Sequence, residues 1–500
     1  MTKYTKSEKK IIKQRFLFCF LLTIAYLFPL LTSGHYYADD LLHSVTGYTP
    51  WNSNGRPLSN GLSHLIMAGG LLSDIAPLTQ VLGAATISAS IVFLSIRISK
   101  SGIVLPILAL FPIISSPYYL ENWSYRYDSL TMAFSISSAI LPYVFKASGI
   151  VKTICISTAL LFISLCFYQA ASNLFIAFAA IIFIVDTYNR RDSVRYIELI
   201  GRITGFLLAN IIYALTIKKF MVQFEYNIVH SELLSGGLNN IIDGVLINYA
   251  SLNSMFLSAF SGPLLNYFLV PTIFSLYFTA LVLKRILLKR QIIALKTLDL
   301  FFVIIGLIVI YASIFGPMLL LKSPVFSPRV LIGASGVIVF ITLSTFILTE
   351  NIRILRWIIT IPMIGMFVLA YSYYNAQKTT DVLEYTMISE IKTTIALHSG
   401  KDIVFKGIAF KGTAPHSAQS KLAELNFPII GRIIFNDLNQ DFLWAKIKLE
   451  AFGLQVPYVN LSEVKQNICE MNLVGDFGNY EMRLGNGYFV VNYNLRECKL

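Results

Sequence analysis

The stretch Phe16–Asp40, FLFCFLLTIAYLFPLLTSGHYYADD, joins an uncharged apolar run to two adjacent carboxylates, Asp39 and Asp40. The run from Phe16 to Ser33 is long enough to cross a hydrocarbon core of about 30 Å as a helix. Two ionised side chains do not belong in lipid, so the helix leaves the membrane before Asp39. On the other flank, Met1–Arg15 carries Lys3, Lys6, Lys9, Lys10, Lys13 and Arg15 against Glu8 alone. Basic flanks stay in the cytoplasm, which places the N-terminus there and the acidic loop outside. No small-x-small cleavage site follows the run, so it reads as a retained signal anchor.

The rest of the chain repeats this alternation. Its 500 residues are 55% hydrophobic and 13% charged, with a mean hydropathy of +0.65. A soluble domain carries roughly twice that charge, so the fold class is a mainly α, polytopic membrane protein. The net charge of +13 lies in short turns between apolar runs. It forms no basic, aromatic-interleaved face, which excludes a nucleic-acid partner. Further spans are expected at 75–96, 103–116 and 129–145, two within 153–185 broken at Phe167–Asn173, then 203–217, 264–283, 300–321, 330–348 and 357–374. That makes about eleven transmembrane helices. Arg97, Lys100, Lys146, Lys152, Arg190, Arg191, Arg195, Arg202, Lys284, Arg285, Lys289, Arg290, Arg353 and Arg356 mark the cytoplasmic turns. Pro57–Gly70 reads as an interfacial or re-entrant helix, and Lys218–Pro263 as a second long external segment. An odd count places the C-terminus outside.

Composition changes near Gln377. Residues 1–376 therefore form the membrane domain, with an external loop at 34–60, and 377–500 form a small α/β domain. In the latter, 382–397 and 438–452 read as helices, and 402–410 and 429–435 as strands. Segments 482–484 and 488–494 flank the hairpin signal Asn486-Gly487. Cys469 and Cys498 could pair if this part faces an oxidising compartment, although sequence does not show that they are close. Cys19, Cys155 and Cys166 lie in apolar runs and read as packing residues.

Transfer of a group to a hydroxyl needs a base for the hydroxyl proton. Asp39 or Asp40 is the candidate catalytic base, with the other orienting it; two solvated loop acids are the plainer reading. External cations run against the usual loop bias. Arg56, Arg126, Lys322 and Arg329, with Lys218 and Lys219, are candidates for binding a donor phosphate, or else they snorkel to headgroups. Tyr36, Tyr37, Trp51 and Trp123 offer faces for a sugar, or form an interfacial aromatic belt. Tyr168 and Gln169, at the break of an apolar stretch, either bound a donor pocket or mark a helix end. His35 with the two Asp could in principle hold a divalent metal, but no ligand spacing supports one and no cofactor is indicated. No P-loop, GxGxxG, GxSxG or CxxC pattern is present.

The run Tyr-Tyr-Ala-Asp-Asp-Leu-Leu-His-Ser from Tyr36, then Gly47-Tyr48, Trp51 and Asn54-Gly55-Arg56-Pro57-Leu58, resembles the first external loop of the type II glucosyltransferases. These belong to serotype-converting bacteriophages and O-antigen modification clusters. The resemblance covers the membrane part, is most specific over 36–59, and carries nothing to the C-terminal domain. It implies a GT-C fold in the bacterial inner membrane. It implies an inverting transfer of glucose from undecaprenyl-phosphate-linked glucose to a sugar of lipopolysaccharide O-antigen, at the periplasmic face. It also implies a functional link to a flippase and to a synthase of the lipid-linked glucose. The family's acidic pair falls on Asp39 and Asp40, while His43 and Tyr127-Asp128 take no role from it. Two alternatives remain. An exporter or flippase of lipid-linked glycans would show repeats and charges within spans. An O-antigen polymerase or ligase would rest on basic residues in a large late loop.

Overall fold

The computed structural model describes residues 5–146, 149–189, 194–288, 292–398, 405–441, 443–495 and 498. Arg190, Arg191, Lys289, Arg290 and positions 402–404 of an expected strand lie outside the described residues. Each apolar stretch expected to span contains a helix, although that at 300–321 ends as α-helix at Ala312 and that at 330–348 begins at Ala334. Eight helices are long and apolar enough to cross a membrane: Lys6–Leu31, Leu78–Ile98, Ile150–Phe167, Gln169–Tyr188, Val194–Met221, Leu264–Leu288, Ile293–Ala312 and Leu355–His398. A ninth is added if the bent pair Val104–Ser115 and Pro117–Ser124 is one span. The remaining two, Ser129–Val144 and Ala334–Thr349, are shorter. At 1.5 Å per residue a helix of that length covers about 24 Å, short of a bilayer core. The expected count of eleven thus becomes eight or nine of membrane length among the described residues. Pro57–Ile66 is a helix of 10 residues and cannot span.

The interruption expected inside 153–185 falls at Tyr168, whose backbone is extended (φ −157°, ψ 114°) between two helices. Helices Ile150–Phe167 and Val194–Tyr213 pack closely. Gly201 and Gly205, one turn apart, face Thr153 and Ser157, and a Cβ on Gly205 would lie 2.4 Å from Cβ of Ser157. Lipid is as apolar as a leucine, so such helices associate by close backbone approach rather than by hydrophobic drive. Some of the basic residues expected in cytoplasmic turns make interhelix ion pairs. Arg97 meets Asp186 at 3.2 Å and also bonds Glu198, and Arg195 pairs with Asp299.

The chain divides into two compact units. The first comprises Met1–Thr32, Thr49–Tyr371 and Phe427–Ile433; the second comprises Ser33–Tyr48, Ser372–Asn426 and Ile434–Leu500. The second unit holds a four-stranded sheet of β1 (Gly407–Lys411), β2 (Asn472–Asp476), β3 (Glu481–Gly485) and β4 (Tyr488–Asn492), in the order β1-β4-β3-β2. β1 runs parallel to β4, and the other pairs are antiparallel. The β3–β4 turn is Asn486-Gly487 with φ of 51° and 87°, the doubly positive geometry that this dipeptide favours. Ile408, Phe410, Met482, Phe489 and Val491 form one core with Met387, Ile391 and Leu449. Two expectations are corrected. The strand at 429–435 is instead the short helix Ile430–Ile433. Its isoleucines recur at three- and four-residue spacing, which so short a run does not distinguish from alternation. The helix at 438–452 shortens to Trp444–Ala451. The helix expected at 382–397 is present as part of a longer one, Thr360–His398. Cys469 and Cys498 are joined by a disulfide.

Candidate functional site

In the second unit, the loop that follows the first helix is tied down residue by residue. Gly34 takes a left-handed φ of 71°. His35 is buried, and its Nδ1 lies 2.6 Å from Oδ2 of Asp381. Gln377 donates to Oδ1 of the same carboxylate at 3.2 Å. It also bonds both the N–H and the C=O of Phe435, at 3.0 and 3.1 Å. The Tyr37 ring stands edge-on to His35 at 5.9 Å and tilted against Phe435 at 5.9 Å.

Ala38 then adopts φ 46°, ψ −112°, a conformation that a Cβ makes costly and that persists only where surrounding contacts enforce it. Helix Asp39–Thr46 starts immediately after it. The strained residue immediately precedes the two acids, whose settings differ. Asp40 is fully buried; its Oδ2 accepts the Tyr37 N–H at 3.1 Å, and its own N–H donates to the Tyr37 carbonyl at 3.0 Å. Asp39, one position earlier, is exposed. Tyr36 is half-buried and Tyr37 buried. His43 is buried with Nδ1 2.7 Å from the Tyr48 carbonyl, which fastens the far end of the helix.

In the first unit, several widely separated candidates converge. The Trp51 indole N–H donates to Oδ1 of Asp128 at 2.6 Å, and Nη1 of Arg56 lies 3.9 Å from that oxygen. The Arg56 guanidinium sits 4.6 Å from the Tyr168 ring centre and donates through Nε to Oε1 of Gln169 at 3.3 Å. Gln169 Nε2 donates to the carbonyls of Asn54 and Gly55 and to Oη of Tyr213. Gly55 has φ 71°, and a Cβ there would lie 2.5 Å from Oη of Tyr213. No other residue satisfies both the turn and the approach. Pro57 then opens helix Pro57–Ile66, where its missing N–H costs nothing.

Tyr168 Oη donates to the Arg329 carbonyl at 3.2 Å, which adds a second cation to this group. Glu121, buried, accepts from Ser327 Oγ and from the Arg329 N–H at 2.9 Å, and lies 3.7 Å from Arg329 Nε. Arg126 pairs with Asp74 at 3.0 Å. Each of these arginines is thus backed by a carboxylate while its side chain stays 22% (Arg56), 14% (Arg126) or 27% (Arg329) exposed. A guanidinium has five N–H donors, so one carboxylate partner orients it without exhausting it. Lys322 is exposed and pairs with Glu232 at 3.1 Å. Trp123 is fully buried; its indole N–H donates to the Ile114 carbonyl and its ring packs edge-on to Tyr119.

Sequence reasoning missed Glu121 and Asp74 and left Asp128 without a role. The available signal was an acid inside a stretch of aromatic and apolar residues, Pro117–Asp128, where a carboxylate needs a partner. Among the described residues, no group of three or more His, Cys, Asp or Glu could hold a metal ion.

The Glucosyl transferase GtrII family matches residues 28–340. The chain belongs to this family. A protein of Salmonella phage P22 described as an uncharacterized 55.3 kDa protein in the gtrB 5′ region is 30% identical over 450 residues, 86% of this chain and 88% of that one. No solved structure matches. Membership in GtrII gives the protein a glucosyltransferase role, with a sugar donor and an acceptor, and its eight membrane-length helices fit a multi-pass membrane protein. The matched range contains Asp39, Asp40, Trp51, Arg56, Asp128, Gln169 and Arg329, and it ends before Asp381.

Proposed function

We propose that this GtrII protein transfers glucose from undecaprenyl-phosphate-linked glucose to a sugar of lipopolysaccharide O-antigen, with Asp39 as general base. The observation that carries the assignment is the unequal setting of the acidic pair. Asp40 is buried and committed to the Tyr37 N–H, whereas Asp39 is exposed behind the strained Ala38. In this reading, the acceptor hydroxyl oxygen attacks the anomeric carbon and its proton passes to the Asp39 carboxylate. The bond from that carbon to the phosphate oxygen breaks, and the electron pair leaves with the phosphate. Attack opposite the leaving group inverts the anomeric centre. Arg56, Arg126 and Arg329, each pre-oriented by a carboxylate, are the proposed holders of the donor phosphate, and Tyr36 is a candidate face for a sugar.

The reaction belongs at the periplasmic face of the bacterial inner membrane. The Cys469–Cys498 disulfide suits an oxidising compartment for the C-terminal residues. The basic N-terminus suits the cytoplasm. An eleven-span GT-C-type bundle accommodates both, with the shorter helices Ser129–Val144 and Ala334–Thr349 among its spans. A flippase and a cytoplasmic synthase would supply the lipid-linked glucose.

The test is reconstitution of the purified protein with undecaprenyl-phosphate-linked [14C]glucose and O-antigen. Label appearing in the polysaccharide, with equal loss of lipid-linked glucose, is expected. Movement of the lipid without its consumption, or polysaccharide lengthening without lipid-linked glucose, would contradict the reading.

A further inference from the structure

We propose that His35 and Asp381 are a positioning pair, through which the long C-terminal helix sets the orientation of the loop that presents Asp39. The inference rests on the reading of Asp39 as base and extends it to residues that carry no assigned role.

A covalent and hydrogen-bonded path links Asp381 to Asp39 within the second unit. Asp381 lies on helix Thr360–His398 and is 5% exposed, as is His35. A hydrogen bond of 2.6 Å between them, away from water, is strong and directional. Asp381 is itself fixed by Gln377, which is in turn held to the backbone of Phe435. Phe435 stands edge-on to Trp444 at 5.7 Å, so the anchor reaches the helix Trp444–Ala451. From His35 the constraint passes two residues along the chain to Tyr37, whose ring meets both His35 and Phe435 and whose N–H and C=O both bond Asp40. Between these fixed points Ala38 is forced to positive φ, and that conformation leaves Asp39 exposed while Asp40 turns in.

The second ring nitrogen of His35, Nε2, is buried without a hydrogen-bond partner. A proton there would be an unsatisfied buried donor, so the proton belongs on Nδ1, facing Asp381. With the proton on Nδ1, the ring donates to Oδ2 of Asp381, a geometry that fixes ring direction. The ring packs against Tyr37, and its effect on chemistry is through the orientation of the loop. Loss of orientation lowers the fraction of bound complexes in a reactive geometry and leaves binding largely intact.

The experiment measures kcat and acceptor KM of the full-length protein in membranes, per folded protein, for Asp381→Ala, His35→Ala, the double variant, Asp381→Asn and Asp381→Glu, together with thermal midpoints. Asp381→Ala and His35→Ala should each lower kcat at least tenfold with KM changed less than threefold. The double variant should be no worse than the worse single one, because both remove the same hydrogen bond. Asp381→Asn, which still accepts from Nδ1–H, should keep kcat within about threefold, whereas Asp381→Glu, longer by one carbon, should lose it. Should the alanine variants fail to insert, the Asn and Glu variants decide alone, and equal kcat in the two would overturn the proposal. So would kcat within twofold of wild type in Asp381→Ala, or additive losses in the double variant. Asp39→Asn run in parallel separates the two ideas. If it is inactive while Asp381→Ala is normal, only the positioning role fails. If it is fully active, the base assignment fails.

Discussion

His35 and Asp381 meet at 2.6 Å across 346 positions of sequence. The loop after the first helix and the C-terminal residues consequently fold as parts of one unit. On the proposed positioning role of this pair, the C-terminal residues support the acidic loop. Deleting residues 377–500 should abolish glucosylation even where the remaining helices insert at wild-type level. Immunoblotting of the membrane fraction beside a polysaccharide glucosylation assay checks this. Retained activity in the truncated protein would show that the loop holds its conformation without Asp381.

Gly55 makes the second case. Alanine at φ 71° costs roughly 1–2 kcal/mol from the backbone alone, and its Cβ would meet Tyr213 Oη at 2.5 Å. Gly55→Ala should lower the thermal midpoint in detergent and weaken activity by displacing Arg56. In a Tyr213→Phe background the hydroxyl contact is relieved, and the backbone cost and the 3.1 Å approach to Val222 Cγ2 remain. Part of the loss should then return, as a double-mutant cycle of midpoints would show.

Arg56 bonds Gln169, lies over Tyr168 and is backed by Asp128. A lysine keeps the charge but cannot make this flat, forked contact. Arg56→Lys should therefore fall close to Arg56→Ala in donor KM, each raised by tenfold or more. Lysine activity near wild type would mean that charge alone suffices.

How much of this was readable from the amino-acid order depends on how locally each feature is written. Apolar runs, the break at Tyr168 and the Asn486-Gly487 hairpin are set by neighbours a few residues apart, and hydropathy or turn chemistry reveals them. The helices after Val104 and over Ala334–Thr349 were legible as apolar helices, but the bend into Pro117–Ser124 was not. The partners of the arginines were not legible, because Arg329–Glu121, Arg126–Asp74 and His35–Asp381 join distant positions with no period to betray them. The inequality of Asp39 and Asp40 was hidden for another reason. It is decided by a positive φ at Ala38, a residue whose identity gives no hint of it.

The second unit should also show a pH-dependent stability. Glu384 lies in the charged half of helix Thr360–His398, beyond its apolar stretch. Burial pushes its carboxyl up to about 8, with Lys448 pulling the other way. Burial raises Asp437 as well. For Lys448, burial works to lower the ammonium, but Asp437 and Glu384 outweigh it and hold it above its usual range. An acid raised on folding binds a proton that the unfolded chain has already released. Its stabilising contribution is therefore full below the usual carboxyl value and fades as pH climbs toward about 8. Lys448 titrates above that window and adds no slope to it. The thermal midpoint of the wild type should fall between pH 5 and pH 8, and Glu384→Gln should flatten that fall. Identical slopes in the two proteins would contradict the assignment.

The most direct test of the account compares Asp39→Asn with Asp40→Asn, scored for glucosylated polysaccharide at matched levels of membrane-inserted protein. Removing a general base costs about 10²–10⁴ in rate. The account predicts that Asp39→Asn inserts normally and loses activity by that order. It predicts that Asp40→Asn, which weakens the buried contact to Tyr37, lowers thermal stability and keeps measurable turnover. Wild-type glucosylation by Asp39→Asn would contradict the central claim.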